Sequence, residues 1–104
     1  MGNIIEMIKS DFGNEVLDNM DSYQPFFKKF DKIFAEDEDY NNIECILEMF
    51  SSERGSGISK SSFIKKKRML VLAFKSLYLH SIVPKGSVEY IESISYDNVI
   101  EYYS

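Results

Sequence analysis

Glu36-Asp37-Glu38-Asp39 sets four carboxylates in succession. Such a run offers hard oxygen donors to a divalent cation. Loops that hold calcium alternate ligands with spacers and use a glycine for the sharp turn, and this run has neither. Two other readings remain: a solvated acidic loop that favours the start of the next helix, or a patch that docks a cationic partner. Glu44 and Glu48 stand four residues apart and so share one helical face. Asp18 and Asp21 cluster earlier in the chain. These eight carboxylates make one acidic surface if the first three helices pack as neighbours. His80 is the only histidine. It has no Ser, Cys or second His at a motif spacing that general-base chemistry would use, and a surface or helix-end position is expected. Cys45, the single cysteine, allows no internal disulfide and reads as a half-buried, inert thiol. Ser56-Gly57-Ile58-Ser59-Lys60-Ser61 has a phosphate-loop flavour but not the Gly-x-x-x-x-Gly-Lys-Ser/Thr order. The expectation is a protein that is not an enzyme and carries no metal or cofactor.

Charge is distributed unevenly. Across the 104 residues, 12 Lys and Arg face 17 Asp and Glu, a formal charge of −5. Residues 1–53 hold four lysines and thirteen acids, a net of −9. Residues 54–85 hold eight basic residues and no acid, and residues 86–104 hold four acids and no base. Lys65-Lys66-Lys67-Arg68 resembles a nucleic-acid or targeting cluster in composition. Four consecutive residues point all round a helix, however, and the overall acidity argues against direct nucleic-acid binding. Either the basic helix packs between acidic neighbours and the charges cancel, or part of the acidic surface stays open for a partner.

The elements that position these groups follow from apolar spacing. Ile5, Ile8, Phe12, Val16 and Met20 recur every three or four residues, which predicts a helix over roughly 3–20, with Gly13 as a possible break. Ser22 suits a helix cap and Pro25 a first turn, ahead of Phe26, Phe30, Ile33 and Phe34 on one face, with Phe27 close by. Asp39 or Asn41 is the expected cap of a helix carrying Ile43, Ile46, Leu47 and Phe50. After the loop at 51–57, Ser59 caps the longest helix, about 59–83, apolar nearly all round and therefore central. Pro84 and Gly86 end it. Val88, Ile91 and Ile94 suit a short helix capped by Ser87, although Val88-Glu89-Tyr90 also fits a strand start. Asp97 is the expected cap of a last turn holding Val99, Ile100 and Tyr103. The chain thus reads as all-α: a single-domain bundle of five or six helices over 1–104. Eight Phe and seven Tyr supply the core. The longest apolar run, 69–74, is far short of the roughly 20 residues that span a bilayer. The first residues have no basic, then apolar, signal pattern, and Glu6 stands where a myristoylation site wants Ser or Thr.

A small, acidic, helical binder of one protein partner accounts for this pattern. A basic nuclease, whose groove binds phosphates, would accept a carboxylate-rich mimic of the nucleic-acid backbone. Asp37, Asp39, Glu44 and Glu48 would pair with its Lys and Arg, with Tyr23 and Tyr40 as aromatic anchors. In size, in charge, and in the Glu36-Asp37-Glu38-Asp39 and Glu44/Glu48 pattern, the chain resembles the immunity proteins of bacterial toxin systems. Examples are the partners of colicin-type tRNases and of contact-dependent growth inhibition toxins. The resemblance implies a cytoplasmic protein that neutralises a cognate toxin. The partner-binding residues are then expected among Asp18, Asp21, Tyr23, Glu36, Asp37, Glu38, Asp39, Tyr40, Glu44 and Glu48. A phage or viral inhibitor of a host factor has the same physics with another target. A helical adaptor that uses its basic helix is the remaining alternative.

Overall fold

Six helices follow in order: α1 (Ile4–Phe12), α2 (Tyr23–Ala35), α3 (Ile43–Glu48), α4 (Lys60–Leu79), α5 (Lys85–Ser93) and α6 (Tyr96–Tyr103). This computed structural model describes residues 3–20, 22–35, 39–51 and 58–103, and the fold is all-α. The longest helix starts where its cap dictates. The Ser59 hydroxyl accepts from the Ser62 N–H at 3.2 Å, meeting one of the amides that a helix start leaves without a partner. Phe63, Leu70, Phe74 and Leu77 then recur on one face and are buried, joined by Met69, Ala73 and Ser76. α4 packs directly on α1 and α5, and α1 packs on α2. The helix is central, but it is not apolar on every side: Ile64 is 50% and Tyr78 44% exposed.

α4 stops at Leu79 rather than near residue 83. Ser81 takes a left-handed backbone (φ 59). Its N–H donates to Tyr78 O at 3.0 Å, and the Ile82 N–H donates to Leu77 O at 2.9 Å. This pair of bonds closes the end of the helix in the manner usually served by glycine. A serine there costs about 1 kcal/mol of backbone strain. Pro84 does not end α4; it is the cap residue of α5 (Lys85–Ser93). Ser87 is therefore not a cap. It is buried inside that helix, and its hydroxyl donates to Asn41 Oδ1. The strand alternative at 88–90 gives way to helix.

The first helix is also shorter than its apolar spacing suggests. Gly13 sits at φ 104, a conformation open to glycine, and its N–H donates to Lys9 O at 2.8 Å. Residues 14–19 form turns instead of a second half of the helix, and Leu17, not Val16, is the fully buried residue there. At the other end of α1, Asn3 Oδ1 accepts from the Glu6 N–H at 2.9 Å. Asp31 Oδ1, reaching across from α2, accepts from the Ile4 N–H at 3.1 Å. Ser22 (φ 62) does not have the extended backbone of a usual cap. Pro25 lies in the first turn of α2, where its missing N–H is no loss.

The aromatic residues of α2 form the centre of the core. Phe26, Phe27, Phe30 and Phe34 are all buried. Phe30 and Phe34 lie 4.7 Å apart, and Phe74 of α4 meets both edge-on at 6.2 and 6.3 Å. Each such ring pair contributes about 0.5–1.5 kcal/mol beyond simple burial. α3 is capped by Asn42, not by Asp39 or Asn41: Asn42 Oδ1 accepts from the Glu44 and Cys45 N–H groups at 3.0 and 3.3 Å. Asp39 Oδ1 instead accepts from the Asn41 N–H, two residues on. α6 is capped by Ser95, not Asp97. Asn98 N–H donates to Ser95 Oγ, and Ser95 N–H donates to Asn98 Oδ1, a reciprocal cap.

Asp31 carries a testable consequence. Burial raises its pKa above the ordinary carboxylate value, and the bond from Ile4 N–H lowers it in part. A carboxyl with a raised folded-state pKa binds its proton more readily in the native state. Its contribution to stability therefore falls as pH rises above the ordinary value of about 4. Asp31→Asn keeps an acceptor for Ile4 and removes the charge. Urea melts across a pH series should show Asp31→Asn gaining on the parent as pH rises through this range, then holding a constant lead. Asp31→Ala should lose about 1 kcal/mol through the missing cap.

Candidate protein-docking surface

A helix leaves its last four carbonyls without intrahelical partners, and positive charge is favoured at that end. Three lysines bond carbonyls at or just past such helix ends. Lys29 of α2 donates to Glu48 O at 2.8 Å and to Ser51 Oγ at 2.7 Å. Lys66 of α4 donates to Ser51 O at 3.0 Å. Lys67 donates to Ile94 O, at the end of α5, at 2.7 Å. Tyr103 donates to Leu47 O in the last turn of α3, and Tyr96 donates to Ile58 O just before α4, both at 2.7 Å. The half-buried centre of the Lys65–Arg68 cluster thus ties loop and helix ends to α4. Lys65 and Arg68 are exposed at its flanks.

The carboxylates are placed differently. Asp18, Asp39, Glu44 and Glu48 are exposed. Asp21, Glu36, Asp37 and Glu38 lie outside the described residues. His80 Nε2 lies 3.0 Å from Asp11 Oδ2. The acids do not all gather on one face. Asp18 precedes Asn19, which with Met20, Lys65, Arg68 and Met69 lines a small hollow of about 90 Å³ at the basic flank of α4. Glu48 lies at the end of α3, near Tyr103, whose pKa is raised chiefly by burial, is lowered in part by a bond with Ser51, and is raised a little further by Tyr102 and Glu48. Asp39 and Glu44 border the turn that starts α3.

Both expected aromatic anchors have partners within the chain. Tyr40 stacks on Phe34 at 5.2 Å as a half-buried part of the core. Tyr23 is half-buried, with Lys9 Nζ 6.0 Å from its ring centre. Two exposed side chains stand where anchors are wanted: Ile43 at 53% and Tyr90 at 38% exposure. They line an open cleft of about 290 Å³ with Asn41, Pro84, Gly86 and Ser87. Apolar spacing assigned Ile43 to the buried face of α3, and it is exposed because it opens the helix at the molecular surface. No sequence signal marked Tyr90.

His80 caps the end of α4 as an exposed residue. Its Nε2 lies 3.0 Å from Asp11 Oδ2, and that oxygen also accepts from the buried Ser76 hydroxyl at 2.7 Å. A nucleophile needs its base within hydrogen-bond reach. Here the carboxylate stands between hydroxyl and imidazole, so the trio is a clamp joining α1 to α4. Cys45 is half-buried as a free thiol. Among the described residues, no group of three or more His, Cys, Asp or Glu side chains is placed to hold a metal ion. No helix among them is long and apolar enough to cross a membrane.

The lysine-to-carbonyl bonds are open to measurement. Lys66→Met and Lys67→Met keep the aliphatic stem and remove the donor. Each should lower the unfolding free energy by about 1.5–3 kcal/mol, the range for a hydrogen bond to a charged group. Lys28→Met and Lys60→Met, at exposed positions, should stay within about 0.5 kcal/mol of the parent. Compared with protein-family models, with characterised proteins and with solved structures, the chain finds no match.

Proposed function

We propose that the protein is a small inhibitor that binds one basic protein partner, and that the partner is a nuclease toxin to which it confers immunity. The observation that supports this is the separate placement of the two charges. Lys29, Lys66 and Lys67 point their ammonium groups at carbonyls, while Glu44 and Glu48 stand exposed on the same side of α3's sequence, one turn apart. A nuclease groove evolved to hold phosphates presents Lys and Arg in an array that carboxylates satisfy in the same way. Complementary charge of this kind speeds encounter and excludes wrong partners. In this reading Asp39, Glu44 and Glu48 meet the toxin's cations, and the protein acts in the cytoplasm, where the nuclease would find its substrate. The helical scaffold holds these side chains on helix α3 and its capped turn, so little ordering is needed on binding.

The test is capture of the partner from the native source, followed by charge reversal. The captured protein should be basic, its nuclease activity should fall at equimolar inhibitor, and Asp39→Lys, Glu44→Lys and Glu48→Lys together should weaken binding by at least about tenfold. Capture that survives the triple substitution unchanged contradicts the proposed face. A captured partner with no nuclease activity contradicts the proposed target.

A further inference from the structure

A surface helix ordinarily turns charged and polar residues to solvent. The outer face of α4 does not follow that pattern. The helix has 20 residues, about 30 Å of length, and its inner face carries Phe63, Leu70, Phe74 and Leu77. On the opposite side, residues seven apart lie nearly above one another after two turns and form three parallel rows. Ile64, Val71 and Tyr78 make the first, Arg68 and Lys75 the second, and Leu72 and Leu79 the third. Adjacent rows are offset by four residues, as in Ile64, Arg68 and Leu72, and so adjoin on the helix surface. Ile64, Arg68, Lys75, Tyr78 and Leu79 are exposed, Leu79 at 58%, and Val71 and Leu72 are half-buried. Asn19 and Met20 stand beside Lys65 and Arg68, so the turn after α1 borders the face at its Lys65 end.

A cationic row between two apolar rows restricts what can cover this face. A helix lying in a membrane surface keeps its apolar residues on one side and its cations on the other. Here, burial of Ile64 and Leu79 in lipid would carry Arg68 and Lys75 with them and desolvate both charges. A phosphate backbone would meet the cations but leave both apolar rows without a counterpart. Residues 54–85 contain no acid, so the α4 of a second copy would set cation against cation. A protein helix with carboxylates seven residues apart and apolar residues on either side of them matches all three rows. We infer that the outer face of α4 docks such an acidic amphipathic helix. The two helices pack as in a coiled coil, where rows at seven-residue spacing supply the apolar seam and the charges beside it choose the partner. The inference goes beyond the docking reading above and does not depend on the carboxylates of α3.

The probe is a set of three synthetic peptides, each three repeats of Leu-Leu-Ala-Gln-X-Ala-Gln with Glu, Gln or Lys at X, titrated into the full ¹⁵N-labelled chain. The Glu peptide should move the amide signals of residues 64–79 and bind at least about tenfold more tightly than the Gln peptide, with the Lys peptide weaker still. Arg68→Glu together with Lys75→Glu, both at exposed positions, should reverse the order so that the Lys peptide binds best, a result that loss of folding cannot give. Ile64→Gln together with Leu79→Gln should weaken the Glu peptide by at least about tenfold and keep the parent's dispersed spectrum. Equal binding of the three peptides, an order that survives the charge reversal, shifts confined to other residues, or no binding up to millimolar peptide overturns the assignment. If the chain instead cosediments with phosphatidylglycerol vesicles, retards a DNA duplex or dimerises, and the reversal at Arg68 and Lys75 abolishes that behaviour, the occupant is not an acidic helix and the proposal falls.

Discussion

Side-chain hydrogen bonds to carbonyls at and just beyond the ends of short helices are the constraint on which the arrangement depends. α3 has six residues, too few for a helix to persist alone, and its end is held by side chains from three other helices. Lys29, Lys66 and Tyr103 reach Glu48, Ser51 and Leu47 from α2, α4 and α6. Lys67 performs the same service for Ile94 after α5. Each of these ammonium groups spends at least one of its three N–H donors on a backbone carbonyl. Two lysines of the basic segment, Lys66 and Lys67, have structural duties, and Asp18, Glu44 and Glu48 lie at the surface.

The core makes this arrangement possible. Phe30, Phe34 and Phe74 bring α2 and α4 together through edge-on rings, and Phe63 stacks on Phe50 at 5.2 Å to fix the segment after α3 against α4. These contacts set where Ser51 lies relative to Lys66. Asp11, shared between Ser76 and His80, and Asp31, capping Ile4, secure α1 on either side. Two of the acids of the first half therefore have structural duties. The charge that remains for recognition is smaller than the composition implies, and it is divided between the neighbourhood of α3 and the turn holding Asp18.

What could be read from the sequence was what local physics decides. The aromatic face of α2, the Ser59 cap and the central place of α4 follow from spacing and capping chemistry within a few residues. The helix ends were harder. A 3.6-residue pattern continued past Gly13 and past Leu79, but backbone closure at Gly13 and Ser81 overrode it. Asn42 displaced Asp39 and Asn41 as a cap because it lies directly against the first free amides of α3. The destinations of Lys29, Lys66 and Lys67 are 15–27 residues away in sequence, and no periodicity encodes such pairings. For the same reason Tyr40 looked like a surface anchor when the fold places it on Phe34, and the exposed pair Ile43 and Tyr90 is joined only by the packing of α5 beside the turn before α3.

The central claim is that exposed carboxylates around α3, Glu44 and Glu48 above all, do the recognising. The most direct measurement is the association rate with the captured partner as a function of salt. The account predicts that the association rate falls by at least about tenfold between roughly 0.02 and 0.5 M salt while the dissociation rate changes little. An association rate that does not respond to salt would contradict it.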